Sequence, residues 1–192
     1  MIENLGSLFQ PITINGLKLK NRIVMPAMGT RFADENGAVT RQLIDYHVER
    51  TKGGVGLQIV EQSFINEERP ACMLSVSNDQ MIPGLNDLVE AIHAEGGRIA
   101  IQVGNLGLVY PEAKGPDDLS LGEVKKRIEE FVRAAWRCRE AGFDAIEVHG
   151  AHRYLICQFL SPQTNHRLDQ YGSNFEGRML FLLEIYRASG TN

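Results

Sequence analysis

Four stretches of the chain, Asn21–Met28 (NRIVMPAM), Val55–Val60 (VGLQIV), Arg98–Val103 (RIAIQV) and Ala145–Val148 (AIEV), are predominantly apolar with β-branched residues among them. Short runs of this kind, bounded by Gly or Pro, read as strands buried on both faces. Between them the period changes to that of a helix. From Thr40 to Lys52, the residues Leu43, Ile44, His47 and Val48 share a face, and Gly53-Gly54 stops the helix. Leu85, Leu88, Val89 and Ile92 repeat the pattern from Leu85 to Glu95, ahead of Gly96-Gly97. Ser120 followed by Glu123 is a capping box, and Val124, Ile128, Phe131, Val132 and Ala135 continue one face to Ala141. A last stripe of Phe175, Met179, Leu182, Leu183 and Tyr186 predicts a helix over Asn174–Arg187. Asn105–Asp118 has no period and reads as a loop.

Doubly apolar strands, each linked to the next by an amphipathic helix, predict an α/β fold with a parallel sheet covered by helices. Two architectures fit, an open doubly wound sheet and part of a (β/α)8 barrel. Both place their chemistry at the C-terminal ends of the strands, where this chain has Glu61, Gln62, Gln102 and His149. No G-x-G-x-x-G turn or P-loop follows the first strand, which disfavours a dinucleotide-binding doubly wound sheet. A barrel takes about 250 residues, and the pattern supplies about four βα units. The chain is therefore expected to form a single partial TIM-barrel domain over residues 1–192, half of a (β/α)8 barrel. Such a half leaves two unpaired sheet edges and an apolar interior without its opposite wall.

Composition narrows the function more than the fold. With 192 residues, 43% hydrophobic and 23% charged, the chain is an ordinary globular sequence. A net charge of −4 without any basic run argues against nucleic acid as a partner. Cys72, Cys138 and Cys157 are odd in number and far apart, as expected of reduced thiols rather than a disulfide framework or zinc site. The opening MIENLGSLFQ has no signal-peptide pattern, and no apolar run reaches the roughly 18 residues of a membrane span. The expectation is a cytoplasmic protein without a membrane partner.

The candidate chemistry lies between Glu140 and Arg178, where the fourth strand runs into His149, His152 and Tyr154. A His-x-x-His pair could ligate a metal, but it follows a strand and no third ligand has metal spacing, so no metal is expected. Tyr154 alone reads as an amphipathic core residue. Glu61 reads as a structural or solvated carboxylate, and Arg167, Asp169 and Arg178 as salt-bridge formers before the last helix.

NRIVMPAMGT, GGVGLQIVEQS, the strand ending in Gln102, GFDAIEVHGAH and YLICQFLSPQTNHRLDQYG, in this order and over nearly the whole chain, resemble the Old Yellow Enzyme family. The likeness is to its bacterial enoate and 2,4-dienoyl-CoA reductase-like branch of NADH:flavin oxidoreductases. The resemblance implies FMN at the C-terminal mouth of the barrel and NAD(P)H as hydride donor. It also implies a small α,β-unsaturated carbonyl compound as substrate, its activated C=C bond being reduced. It places Pro26, Ala27, Met28 and Gly29 along the flavin edge, Gln62 against the ring through its backbone, and the Gln102 amide on the flavin pyrimidine. His149 and His152 match the pair that hydrogen-bonds the substrate carbonyl, and Tyr154 matches the general acid that protonates the α-carbon.

Departures accompany the match. Arg153 stands where relatives carry Gly, and Asn105 and Leu108 stand at their His and Arg positions. The following loop is shorter, and Ser173, Asn174 and Gly177 replace the expected Gly, Ser and Asn. The later strands, a flavin-contacting arginine and the phosphate-binding loops of full-length relatives have no counterpart, so weak or no FMN binding is expected of the isolated chain. The alternative to an active reductase is a truncated or non-catalytic half-barrel that needs a second half or a second copy of itself.

Overall fold

The computed structural model describes residues 5–109 and 113–190. After a 3₁₀ turn, strands β1 (Ile12–Ile14) and β2 (Leu17–Leu19) form an antiparallel hairpin. Its turn is Asn15-Gly16, both residues at positive φ (44° and 89°), the backbone that a two-residue hairpin favours. Strands of three residues are too short to show a period, and the Asn-Gly pair is the hairpin's one sequence signal.

The four remaining strands lie in the order β3, β4, β5, β6, all parallel, as the barrel-type reading requires. Strand β3 is only Val24–Met25. The Asn21 side chain donates to Gly54 O and accepts from Ile23 N before the strand starts. Pro26, without an N–H, ends its ladder. Helix α1 (Arg41–Lys52) is capped by the Thr40 hydroxyl, which accepts from Leu43 N. Strand β4 (Leu57–Phe64) runs four residues past the expected Val60, because Ser63 and Phe64 pair again with Val103 and Gly104 beyond a bulge. Helix α2 (Ile82–Ala94) begins three residues before Leu85, with Pro83 in its first turn where a missing N–H costs nothing.

Strand β5 (Ile99–Gly104) leads to two 3₁₀ turns, Gly107–Val109 and Pro116–Asp118, within the stretch read as a loop. Residues 110–112 of that loop lie outside the described residues. The capping box of Ser120 and Glu123 opens helix α3 (Leu121–Glu140) as the sequence indicates. Strand β6 (Ala145–Val148) has the bounds expected, and a short helix α4 (Leu155–Leu160), too brief to show a period, follows the candidate loop. Helix α5 (Phe175–Ser189) closes the described chain.

The outer face of the sheet packs on the helices. Leu43, Val60, Leu85, Ile101, Phe131 and Phe181 are at most 1% exposed in one continuous cluster. The inner face starts apolar. Leu57, Ile59, Ala100 and Ala145 pack on Ile12, Leu17 and Leu19, so the hairpin floors the half-barrel. Moving toward the strand C-termini, the same face becomes polar. Gln102 sits beside Glu147 in register, and one pleat further come Gly104 and His149.

The two outer strands are left open. Val24 of β3 is 43% exposed, and every residue of β6 is only half-buried, whereas β4 and β5 are almost wholly buried. Along β6 a cleft of about 510 Å³ is lined by Ile146, Val148, Phe131, Ile185, Leu57 and Ile14, among others. It lies against the unpaired edge of β6.

Candidate active site

Residues 149–154 leave β6 as an abrupt loop. His149 N–H still donates to Val103 O and so belongs to the sheet. His152 and Arg153 then both take left-handed backbone angles (φ 54° and 61°). Tyr154 N donates to Ala151 O, and Tyr154 occupies the N-cap position of α4. These turns fold the loop back so that three rings converge. His149 and His152 are 5.1 Å apart between ring centroids and edge-on, His149 and Tyr154 are 4.7 Å apart, and His152 and Tyr154 are 6.0 Å apart.

Hydrogen bonds assign the protons. Ala151 N donates to His149 Nδ1 at 3.1 Å, so neutral His149 carries its hydrogen on Nε2. That Nε2 stands 3.3 Å from His152 Nδ1. His152 Nδ1 is thus the acceptor in that contact, and its Nε2 is left facing away from His149 as a second ring nitrogen for a ligand. His149 is 5% exposed, and burial, with the charge of His152 as a second cause, pushes its pKa down to about 4. At neutral pH the ring is an uncharged donor.

The other candidate residues form the rest of the rim. Gln102 Nε2 donates to Glu147 Oε1 at 2.5 Å, which leaves its carbonyl oxygen and a second amide hydrogen for a ligand. Gln62 is nearly buried beside Gly104. Pro26, Met28 and Gly29 are exposed, and Ala27 is half-buried, just past the end of β3. The nearest atom to an ideal Cβ on Gly29 is Met73 Cε at 3.5 Å, so the backbone there is open. This segment is tied to the sheet by Glu61, which is 1% exposed. One Glu61 oxygen accepts from Thr30 N and from Thr30 Oγ1, and the other accepts from Leu74 N at 3.4 Å. Glu61 is therefore a clamp that sets where residues 26–29 lie, a role its sequence context did not disclose. Among the described residues, no group of three metal-capable side chains comes together.

Arg167 does more than bridge at the surface. Its side chain is 7% exposed. It donates to Pro116 O and Leu119 O as well as to both oxygens of Asp169, whose carboxyl it holds below the usual range. Asn165 Nδ2 donates to Phe159 O and Tyr171 O. Together they anchor the segment after α4. The departures at 173–177 also fit one another. Asn174 caps α5 by accepting from Gly177 N at 2.8 Å. A Cβ on Gly177 would stand 2.4 Å from Gly172 O, so glycine is required there. Asn105 Oδ1 accepts from Gly107 N, whereas Leu108 is 49% exposed.

A parallel sheet of barrel type with its polar groups gathered at the strand C-termini defines the class, an α/β protein built like the (β/α)8 enzymes. The chain belongs to the NADH:flavin oxidoreductase / NADH oxidase family, whose model matches residues 7–118 and 111–189. The cofactors of that family are FMN and NAD(P)H, as the resemblance implied. The chain is 41% identical over 203 residues to the NADH oxidase of Thermoanaerobacter brockii, covering 94% of itself and 31% of that protein. It is 39% identical over 196 residues to the NADPH dehydrogenase of Bacillus subtilis (strain 168), covering 93% of itself and 58% of that protein. Its fold is similar to that of the old yellow enzyme homologue from Zymomonas mobilis, with a TM-score of 0.88 at 26% identity over 95% of this chain and 59% of that one. The chain thus spans between about a third and three fifths of the proteins it matches. No helix among the described residues is long and apolar enough to cross a membrane.

Two outcomes follow from this geometry. Left-handed backbone costs an L-residue about 1–2 kcal/mol, and glycine avoids this while adding about 0.5–1 kcal/mol of unfolded-chain entropy. Arg153→Gly is therefore expected to stabilise the chain by about 0.5–1 kcal/mol, measured by urea unfolding. An unchanged or lower midpoint would remove strain from the account. The second outcome concerns pH. His149 and the buried His47 both have folded pKa values below their unfolded ones, burial being the first cause in each case. The unfolded chain takes up those protons first. The contribution of His149 is thus fully present above about pH 6.5 and is lost as the pH falls toward about 4, and His47 acts in the same direction. His149→Asn is expected to flatten that decline, and a variant with the unsubstituted slope would contradict the assignment.

Proposed function

We propose that this chain carries the substrate side of an FMN-dependent NAD(P)H oxidoreductase that reduces the activated C=C bond of α,β-unsaturated carbonyl compounds. The observation that supports this most is the neutral imidazole of His149 converging with the His152 ring and the Tyr154 phenol at the end of β6. The rim also fits a flavin by its chemistry. It offers an unpartnered buried amide on Gln62, a free carbonyl on Gln102, and open backbone at Pro26, Ala27, Met28 and Gly29. FMN, when bound, supplies hydride transfer, taking hydride from NAD(P)H and delivering it to the substrate β-carbon.

The protein's own residues account for the remaining steps. His149 Nε2–H breaks from His152 Nδ1 and donates to the substrate carbonyl oxygen, and His152 Nε2–H offers the second donor. Negative charge grows on that oxygen as hydride arrives at the β-carbon, so preplaced donors lower the barrier more than they tighten substrate binding. A neutral His149 suits the task because the site need not hold a buried positive charge on that ring before substrate arrives. Tyr154 delivers its proton to the α-carbon, and solvent replaces it. Residues 1–192 act in this reading as one partial barrel.

The open edge of β6 and its apolar cleft favour a second reading, in which flavin is held only once a further set of strands packs there. A second copy of the chain or a separate barrel half would supply them.

The test is reconstitution of the purified chain with FMN, followed by anaerobic NADPH oxidation with cyclohexenone as acceptor and light scattering of the flavin-loaded species. Tyr154→Phe is expected to slow alkene reduction by about 10²-fold or more while leaving flavin reduction by NADPH unchanged. A flavin-loaded chain that oxidises NADPH but does not reduce the alkene would sink the assignment. Flavin uptake by a stable monomer would sink the reading that requires a second half.

A further inference from the structure

One polar side chain on the inner face of the sheet is buried without a partner among the described residues. Gln62 is 8% exposed, and its Nε2 has no hydrogen-bond partner among the described residues. The side chain crosses the end of β5. An ideal Cβ on Gly104 would stand 2.7 Å from Gln62 Nε2 and 3.1 Å from the Cβ of His149. The missing side chain at Gly104 is therefore the room through which the Gln62 amide reaches from β4 toward the strand that carries His149. A buried amide without a partner destabilises a protein unless something else satisfies it, and an apolar residue of similar volume would not carry that cost.

The neighbouring polar groups indicate the kind of ligand. Gln102 has one amide hydrogen engaged by Glu147 and keeps its carbonyl oxygen as an acceptor. The pyrimidine edge of a flavin reads acceptor, donor, acceptor, because two carbonyls flank one ring N–H. Such an edge is matched by an acceptor with a donor beside it.

We propose that Gln62 is a flavin-positioning residue acting through its side chain, donating from Nε2 to a carbonyl oxygen of the FMN pyrimidine ring while the Gln102 carbonyl accepts from the ring N–H. The proposal rests on the flavin reading above. It differs from that reading by giving Gln62 a side-chain contact instead of a backbone one. The bond strengthens when reduction adds electron density to the ring carbonyl, so its loss lowers the midpoint potential of the bound flavin.

Gln62→Leu and Gln62→Met of the full chain are compared with the unsubstituted chain by FMN fluorescence quenching, by flavin potential, and by thermal unfolding with and without FMN. Without FMN, the variants are expected to unfold at the same temperature as the unsubstituted chain or higher, because the unpaired amide is gone. With FMN, affinity is expected to fall by about tenfold and the potential to drop. Unchanged FMN affinity overturns the proposal, and so does a lower unfolding temperature without FMN, which would make Gln62 a packing element. If neither variant folds, the side-chain amide resonance of Gln62 in the unsubstituted chain decides, since it must shift when FMN is added. An unmoved resonance overturns the proposal. Failure of the unsubstituted chain to take up FMN overturns the flavin reading and this proposal together, whereas uptake that ignores position 62 overturns this proposal alone.

Discussion

The register that sets Gln102 beside Glu147 and Val103 beside Val148 is the constraint on which the rim depends. Side chains alternate along a strand, so one choice of register decides every residue that faces inward. Here it stacks an apolar layer on the β1–β2 hairpin, then the Gln102–Glu147 pair, and then the Gly104 and His149 positions. A slip of one residue between β5 and β6 would turn Val148 inward and put His149 among the helices. The buried outer cluster of Ile101, Val103, Phe131 and Phe181 makes such a slip prohibitive, because it would place polar groups in a packed core. The site geometry is thus held by apolar burial on the opposite face of the same strands.

Above that floor the polar groups are arranged so that few charges are buried. Glu61 is enclosed, but its oxygens are met by two backbone N–H groups and a hydroxyl, the arrangement that makes a buried carboxylate tolerable. His149 avoids the cost by staying neutral. The turn that brings His152 and Tyr154 round to it carries strain at two successive left-handed residues. Strain of this kind is held in place by its surroundings. Gln158 Nε2 donates to Arg153 O and Leu155 N donates to Asn105 O, which fixes α4 against the end of β5.

Much of this was legible in the amino-acid sequence for identifiable reasons. The four parallel strands announce themselves as short, predominantly apolar runs and the long helices by the period that burial on one face imposes, with caps such as Thr40 and the Ser120–Glu123 box marking helix starts. Elements of three to six residues, the hairpin strands and α4, are too short to show a period. Strand β3 is cut to two residues by Asn21 and Pro26, local effects that an apolar run conceals. Within the site, His149, His152 and Tyr154 lie close in sequence and could be read from one stretch. The clamp that Glu61 forms and the unpartnered side-chain amide of Gln62 could not, since they depend on contacts across chain separations, Glu61 with Thr30 and Leu74, and Gln62 with Gly104. Gly177, a departure from its relatives when read in sequence, is required in the fold by the close approach of Gly172 O.

His149 is held neutral, with its hydrogen on Nε2, at the point where strand, imidazole pair and phenol meet. Nitrogen-15 NMR of the histidine rings in the full chain measures this directly. The expected result is a bare Nδ1 and a protonated Nε2 on His149 at pH 7, persisting until the pH approaches about 4. A His149 ring that gains its second proton near pH 6.5, or that carries its neutral hydrogen on Nδ1, would contradict it.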